Sequence, residues 1–166
     1  MNQFQNVISQ IELFIRKYYK NRILKGLLLF LAVFVGTYIL VAGLEYIGRF
    51  STFVRLILLI AFVGINGLLF VRFLLIPLLQ LNKISKRLSL MQAADMIGKF
   101  FPEIGDKLRN TLQLNENKQE FKANLELVNA SIEQRAENLS PVGFSKAIDF
   151  SENKQYLKYL LPILLL

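Results

Sequence analysis

Apolar positions dominate two stretches of the chain and recur at helical spacing through the rest. The first stretch, Gly26 to Leu44, reads GLLLFLAVFVGTYILVAGL and carries no charge. At ~1.5 Å per residue it spans roughly 28 Å, the hydrocarbon thickness of a bilayer. The second runs from Val54 to Leu79 and holds sixteen uncharged residues between Arg55 and Arg72. Arginines at such ends reach the headgroups by snorkelling. Only Glu45 to Phe53 connect the two, so the pattern predicts a tight antiparallel transmembrane hairpin over residues 23–79. Folding it about Gly48–Arg49 places Arg72 beside Lys25 and Arg55 near Ala42, so every charge falls at an interface.

Before the hairpin, Phe4, Val7, Ile8, Ile11, Ile15 and Tyr18 mark an amphipathic helix over residues 1–22. It either lies in the membrane interface or extends the first span and packs on the polar part of the chain. After the hairpin, residues 80–150 are polar with helical periodicity. Ile84, Leu88 and Met91, with Asp95 or Ile97, trace a face of a helix from Leu81 that ends near Phe100, at the Pro102 break. Asp106 after Gly105 predicts the N-cap of a second helix through Leu108 and Leu112. Asn115–Lys118 reads as a turn. A third helix from about Lys118 to Leu139 carries Phe121, Leu125, Val128, Ile132 and Leu139, and stops at Ser140–Gly143. Its apolar stripe, little more than two heptads long, is core in one reading and a recognition surface in the other. A further helix is expected after Phe144, with Ser151 as a cap. Residues 151–166 end in YLKYLLPILLL, which reads as the start of a third transmembrane helix cut off at Leu166.

Charge changes the picture by its distribution. The total is +8, from 20 basic and 12 acidic side chains among 166 residues. Five basic residues (Arg16, Lys17, Lys20, Arg22 and Lys25) oppose Glu12 before the first span, and Arg72, Lys83, Lys86 and Arg87 close the second. The tail from residue 80 is nearly balanced, with twelve basic and ten acidic groups, so no basic face is left for nucleic acid. These nine cations are the expected headgroup and topology residues. By the positive-inside rule the N-terminus and residues 80–155 are cytoplasmic. The apolar run is too long, and too far from the start, for a cleavable signal peptide.

Asn66, in GINGLL, is the strongly polar residue near the middle of the second span. It either glues helices, with Gly36, Gly64 and Gly67 allowing close approach, or lines a path for an ion or substrate. No chain of ionisable groups crosses the bilayer. His, Cys and Trp are all absent, which removes disulfides, thiolates and imidazole chemistry. No P-loop, GxGxxG, GxSxG or metal-ligand spacing occurs, so no enzyme activity, cofactor or metal is expected.

The segment Ala93–Leu114, AADMIGKFFPEIGDKLRNTLQL, resembles one that follows two N-terminal spans in a family of large bacterial inner-membrane proteins of unknown function. The likeness rests on Ile97, Phe101, Pro102, Glu103, Ile104, Asp106, Leu108, Asn110, Leu112 and Leu114. It implies a third span followed by a large extracytoplasmic part with coiled-coil character. It implies no catalytic residue. The fold class expected is an all-α integral membrane protein, built of a hairpin, a small cytoplasmic bundle and the start of a third span. The expected role is a non-catalytic anchor and assembly module of a larger inner-membrane protein or complex. Its partners would be the bilayer and other membrane proteins or further copies of itself. The alternative is a helical subunit of a channel, transporter or energy-coupled complex.

Overall fold

The computed structural model describes residues 2–82, 88–119, 124–139 and 142–158, and these are helical with no strand among them. The elements are α1 (Gln3–Gly48), α2 (Thr52–Phe70), a π-helical turn (Val71–Leu75), α3 (Ile76–Leu81), α4 (Leu90–Phe100), α5 (Pro102–Glu116) and α6 (Leu125–Leu139). Short 3-10 turns follow at Phe144–Ala147 and Ser151–Asn153. The chain divides into two compact units: Met1–Tyr18 with Arg87–Asp149, and Tyr19–Lys86 with Phe150–Leu166.

The first unit is a small helical bundle. About 75 polar-rich residues are few for a core of their own. The beginning of α1 supplies what they lack. Val7, Ile11, Phe14 and Ile15 are buried there, with Ala93, Ala94 and Ile97 of α4, Leu108 and Leu112 of α5, and Ile132, Ala136 and Leu139 of α6. Phe144 and Ile148 close the core from the last turn. The N-terminal helix therefore belongs to the bundle, and its apolar face is covered by protein, the packing alternative of the two set out above. Glu133 of α6 fixes the start of α1: its carboxylate accepts from the backbone N–H groups of Gln3 (2.8 Å) and Phe4 (3.4 Å). A negative group at a helix N-terminus satisfies donors that the helix cannot, and complements its dipole.

Several sequence expectations in this unit shift: α5 runs on through Asn115 and Glu116, read above as part of a turn, and α6 starts at Leu125 rather than near Lys118. The helix ending at Phe100 starts at Leu90, not Leu81, because Ser89 and Gln92 form a reciprocal capping box. Asp106 is not an N-cap. Pro102 occupies the first turn of α5, where its fixed φ suits a helix start and its missing N–H costs nothing, so Gly105 and Asp106 lie inside the helix. After Phe144 the chain first makes a 3-10 turn (Phe144–Ala147), and the expected helix begins only at Ser151, as a 3-10 turn that runs into α-helix over 154–158. The expectations for Ile84, Phe121 and Ser140 fall outside the described residues. Val128 is half-buried and Leu125 exposed, so only the C-terminal half of the α6 stripe is core.

In the second unit, two helices are long and apolar enough to cross a membrane: α1, and the helical run Thr52–Leu81. α1 ends at Gly48, and Arg49 takes the left-handed conformation (φ 42°) that usually falls to glycine after a helix. The Phe50 ring folds over Gly48, one position earlier, so a side chain there would have to move that ring. Glu45 and Arg55 pair across the tip at 3.0 Å. Both are about half exposed, so the pair aligns the helices more than it stabilises them. Ring contacts Phe30–Phe70 and Phe34–Phe62 follow. The pairs Glu45–Arg55 and Phe30–Phe70 centre on Phe50 and Phe34–Phe62 on Gly48, close to the expected fold about Gly48–Arg49. The run Thr52–Leu81 is interrupted by the π-helical turn, which ends with the Ile76 N–H donating to the Val71 carbonyl. Pro77 is the local cause: it has no N–H for the Phe73 carbonyl four residues back, and a widened turn accommodates that loss.

Candidate membrane and helix-packing sites

Asn66 is buried within the hairpin (5% exposed), although most of its neighbours on α2 are not. Its Nδ2 donates to Thr37 Oγ1 of α1 at 3.2 Å and to the Phe62 carbonyl at 2.9 Å. Thr37 in turn donates back to its own helix, at the Val33 and Phe34 carbonyls. The amide orientation follows from this arrangement. The Phe62 carbonyl can only accept, so nitrogen must face it. Asn66 Oδ1 is left buried without a hydrogen-bond partner among the described residues. The result is a polar cross-link between two apolar helices.

The glycines expected beside it do not share that role. A methyl group built on Gly36, Gly64 or Gly67 meets nothing within 4 Å, so none of the three sets the approach of the hairpin helices. The close approach lies instead at Gly26, which sequence reasoning passed over. Any Cβ there would fall on the Phe73 carbonyl, in the π-helical turn. Pro77, inside an otherwise apolar run, was the available signal.

Removing one partner of a buried polar pair costs more than removing both. Thr37→Val should therefore destabilise the hairpin by about 1–2 kcal/mol, because Asn66 keeps its buried amide. Asn66→Leu should cost less, and the double variant should recover part of the Thr37→Val loss. Equilibrium unfolding in mixed micelles reads the coupling, expected at about 0.6–1.7 kcal/mol. Additive single effects would show that the bond contributes nothing.

The nine expected headgroup cations separate. Lys17 lies in the bundle, where its ammonium donates to the Ser145 carbonyl at 2.8 Å. Arg16 and Lys20 are exposed. Arg22, Lys25 and Arg72 are exposed and line one cleft, so Arg72 and Lys25 do come together. Lys83, Lys86 and Arg87 fall outside the described residues. The segment after Phe150 is tied to the same end of α1: Asn153 donates to the Asn21 side chain, and Lys25 Nζ sits 4.9 Å above the Tyr156 ring. The last eight residues, expected to open a third span, are also outside the described residues.

The FPEIG segment forms the corner between α4 and α5. Gly98 and Gly105 cross there. A methyl on Gly105 would lie 2.7 Å from the Gly98 Cα, and one on Gly98 would lie 3.0 Å from the Gly105 Cα. Of the motif residues, Leu108 is core and Phe101 half-buried, whereas Pro102, Glu103, Asp106 and Asn110 are exposed. Glu103 stands in the first turn of α5, where it complements the dipole. Arg109 reaches Asp95 at 3.6 Å with both side chains about half exposed, a weak link.

No family model, curated protein or solved structure matches this chain.

Proposed function

We propose that the chain is a non-catalytic membrane anchor and assembly module of a larger bacterial inner-membrane protein or complex. The observation that carries this reading is the apolar surface of the hairpin. Phe53, Leu59, Ile60, Val63 and Leu68 are all more than half exposed, on a helix long enough to cross a bilayer. A continuous apolar surface of this kind is not left to water; lipid or other membrane helices cover it. The bundle of α4–α6 with the start of α1 is the part offered to partners on the cytoplasmic side. The basic residues on both flanks of the hairpin support that orientation. The resemblance of Ala93–Leu114 supports the family assignment, and with it a further span and an extracytoplasmic part.

The channel or transporter reading needs Asn66 to face an open path. Its contact with Thr37 supports the role of glue instead. Alkaline extraction of membranes from cells making the full chain tests the anchor. The chain should stay with the lipid pellet at high pH. Release into the supernatant, as for a peripheral protein, would contradict it.

A further inference from the structure

The cleft shared by Arg22, Lys25 and Arg72 has a volume of about 310 Å³. Its floor is formed by Gly26, Phe73 and Pro77, with Gly26 and Pro77 buried. Three features make it more than a row of surface cations. Arg22 and Lys25 lie one turn apart on α1, on the side that also carries Gly26. Arg72 approaches from the π-helical turn, which Pro77 and the tight Gly26–Phe73 contact hold in place. No carboxylate lines the cleft, and the structure pairs none of the three cations with an acidic group among the described residues. Lys25 rests over the Tyr156 ring, which positions its ammonium without neutralising it.

The cleft also sits at a defined place along the hairpin. The uncharged run of α1 begins at Gly26 and that of the second apolar helix ends at Arg72. That is the level at which apolar tails give way to headgroups. Two guanidinium forks and an ammonium converging on one concave site suit phosphate oxygens, which arginine takes in bidentate fashion.

We propose that this cleft binds the phosphate of an anionic phospholipid, with Arg22, Lys25 and Arg72 as its ligands. The proposal rests on the hairpin being inserted in the bilayer, and its test keeps the two apart. The full chain is first floated with neutral phosphatidylcholine vesicles; failure to float counts against insertion itself. In mild detergent, native mass spectrometry then follows binding of phosphatidylglycerol, phosphatidylcholine and inorganic phosphate. The chain should retain one phosphatidylglycerol in preference to phosphatidylcholine, and excess inorganic phosphate should not displace it. Neutralising each cation should weaken binding about 5-fold, and Arg22→Gln/Lys25→Gln/Arg72→Gln about 100-fold. Lys99→Gln/Lys107→Gln/Arg135→Gln removes the same charge elsewhere, at exposed positions, and should leave binding unchanged. Arg22→Lys/Arg72→Lys keeps the charge but loses the forks, so it should bind more weakly than the unaltered chain and more tightly than the triple glutamine variant, which separates lost ligands from lost folding. Equal loss in both triple variants would overturn the site in favour of diffuse attraction. Displacement by inorganic phosphate would overturn the lipid as its occupant.

Discussion

Phe14→Ala should destabilise the bundle by about 3–5 kcal/mol, the usual cost of emptying an aromatic site in a packed core. Phe14 is fully buried, one of four buried apolar residues that α1 contributes to the unit formed with Arg87–Asp149. A unit this small has little stability in reserve, so a loss of that size leaves α4–α6 mostly unfolded. Limited trypsin digestion of the full chain reads it directly, because Lys99, Lys107 and Arg109 become cleavable. Leu13→Ala is the matched control. Leu13 is 53% exposed, and its truncation should change stability by less than about 0.5 kcal/mol. If the two variants behave alike, the start of α1 is not core. If Leu13→Ala alone has an effect, that helix uses its other face.

Gly105→Ala makes the second large prediction, and its sign is the test. Helix propensity alone favours alanine over an interior glycine by about 1 kcal/mol. The crossing with Gly98 opposes this, because the added methyl would stand 2.7 Å from a backbone carbon. A flexible side-chain tip can move aside, but here a helix must. The net effect should be a loss of about 1–3 kcal/mol, in the range of overpacked cores. Thermal unfolding followed by far-UV circular dichroism measures it. A stabilised variant would mean that α4 and α5 do not cross at these glycines.

The hairpin was legible because its signal is local. Two uncharged runs and a short connection define it, and charge at the ends fixes which residues share a level. Lys25 and Arg72 were placed together on that ground, and they line one cleft. The partner of Asn66 was harder. Thr37 was visible, but which side chain of α1 meets Asn66 depends on the facing of the two helices, which depth along the hairpin does not give. The helical period shows that Val7, Ile11 and Ile15 need covering. It does not name residues more than a hundred positions later as the cover. The capping box at Ser89–Gln92 was present in the sequence, but the apolar spacing from Leu81 onward pointed to one uninterrupted helix. Gly98 and Gly105 look like two unrelated weak points until the turn at Phe101–Pro102 brings their helices together.

In the topology we propose, both ends of the hairpin and the bundle lie on one side of a membrane. The chain has no cysteine, so single cysteines report without background. Ser51→Cys marks the hairpin tip, Asn2→Cys the N-terminus and Gln113→Cys the exposed side of α5. With an impermeant maleimide, Ser51→Cys should be labelled in intact spheroplasts, and Asn2→Cys and Gln113→Cys only after the membrane is opened. Labelling of Gln113→Cys in intact spheroplasts, with Ser51→Cys protected or equally labelled, would contradict it.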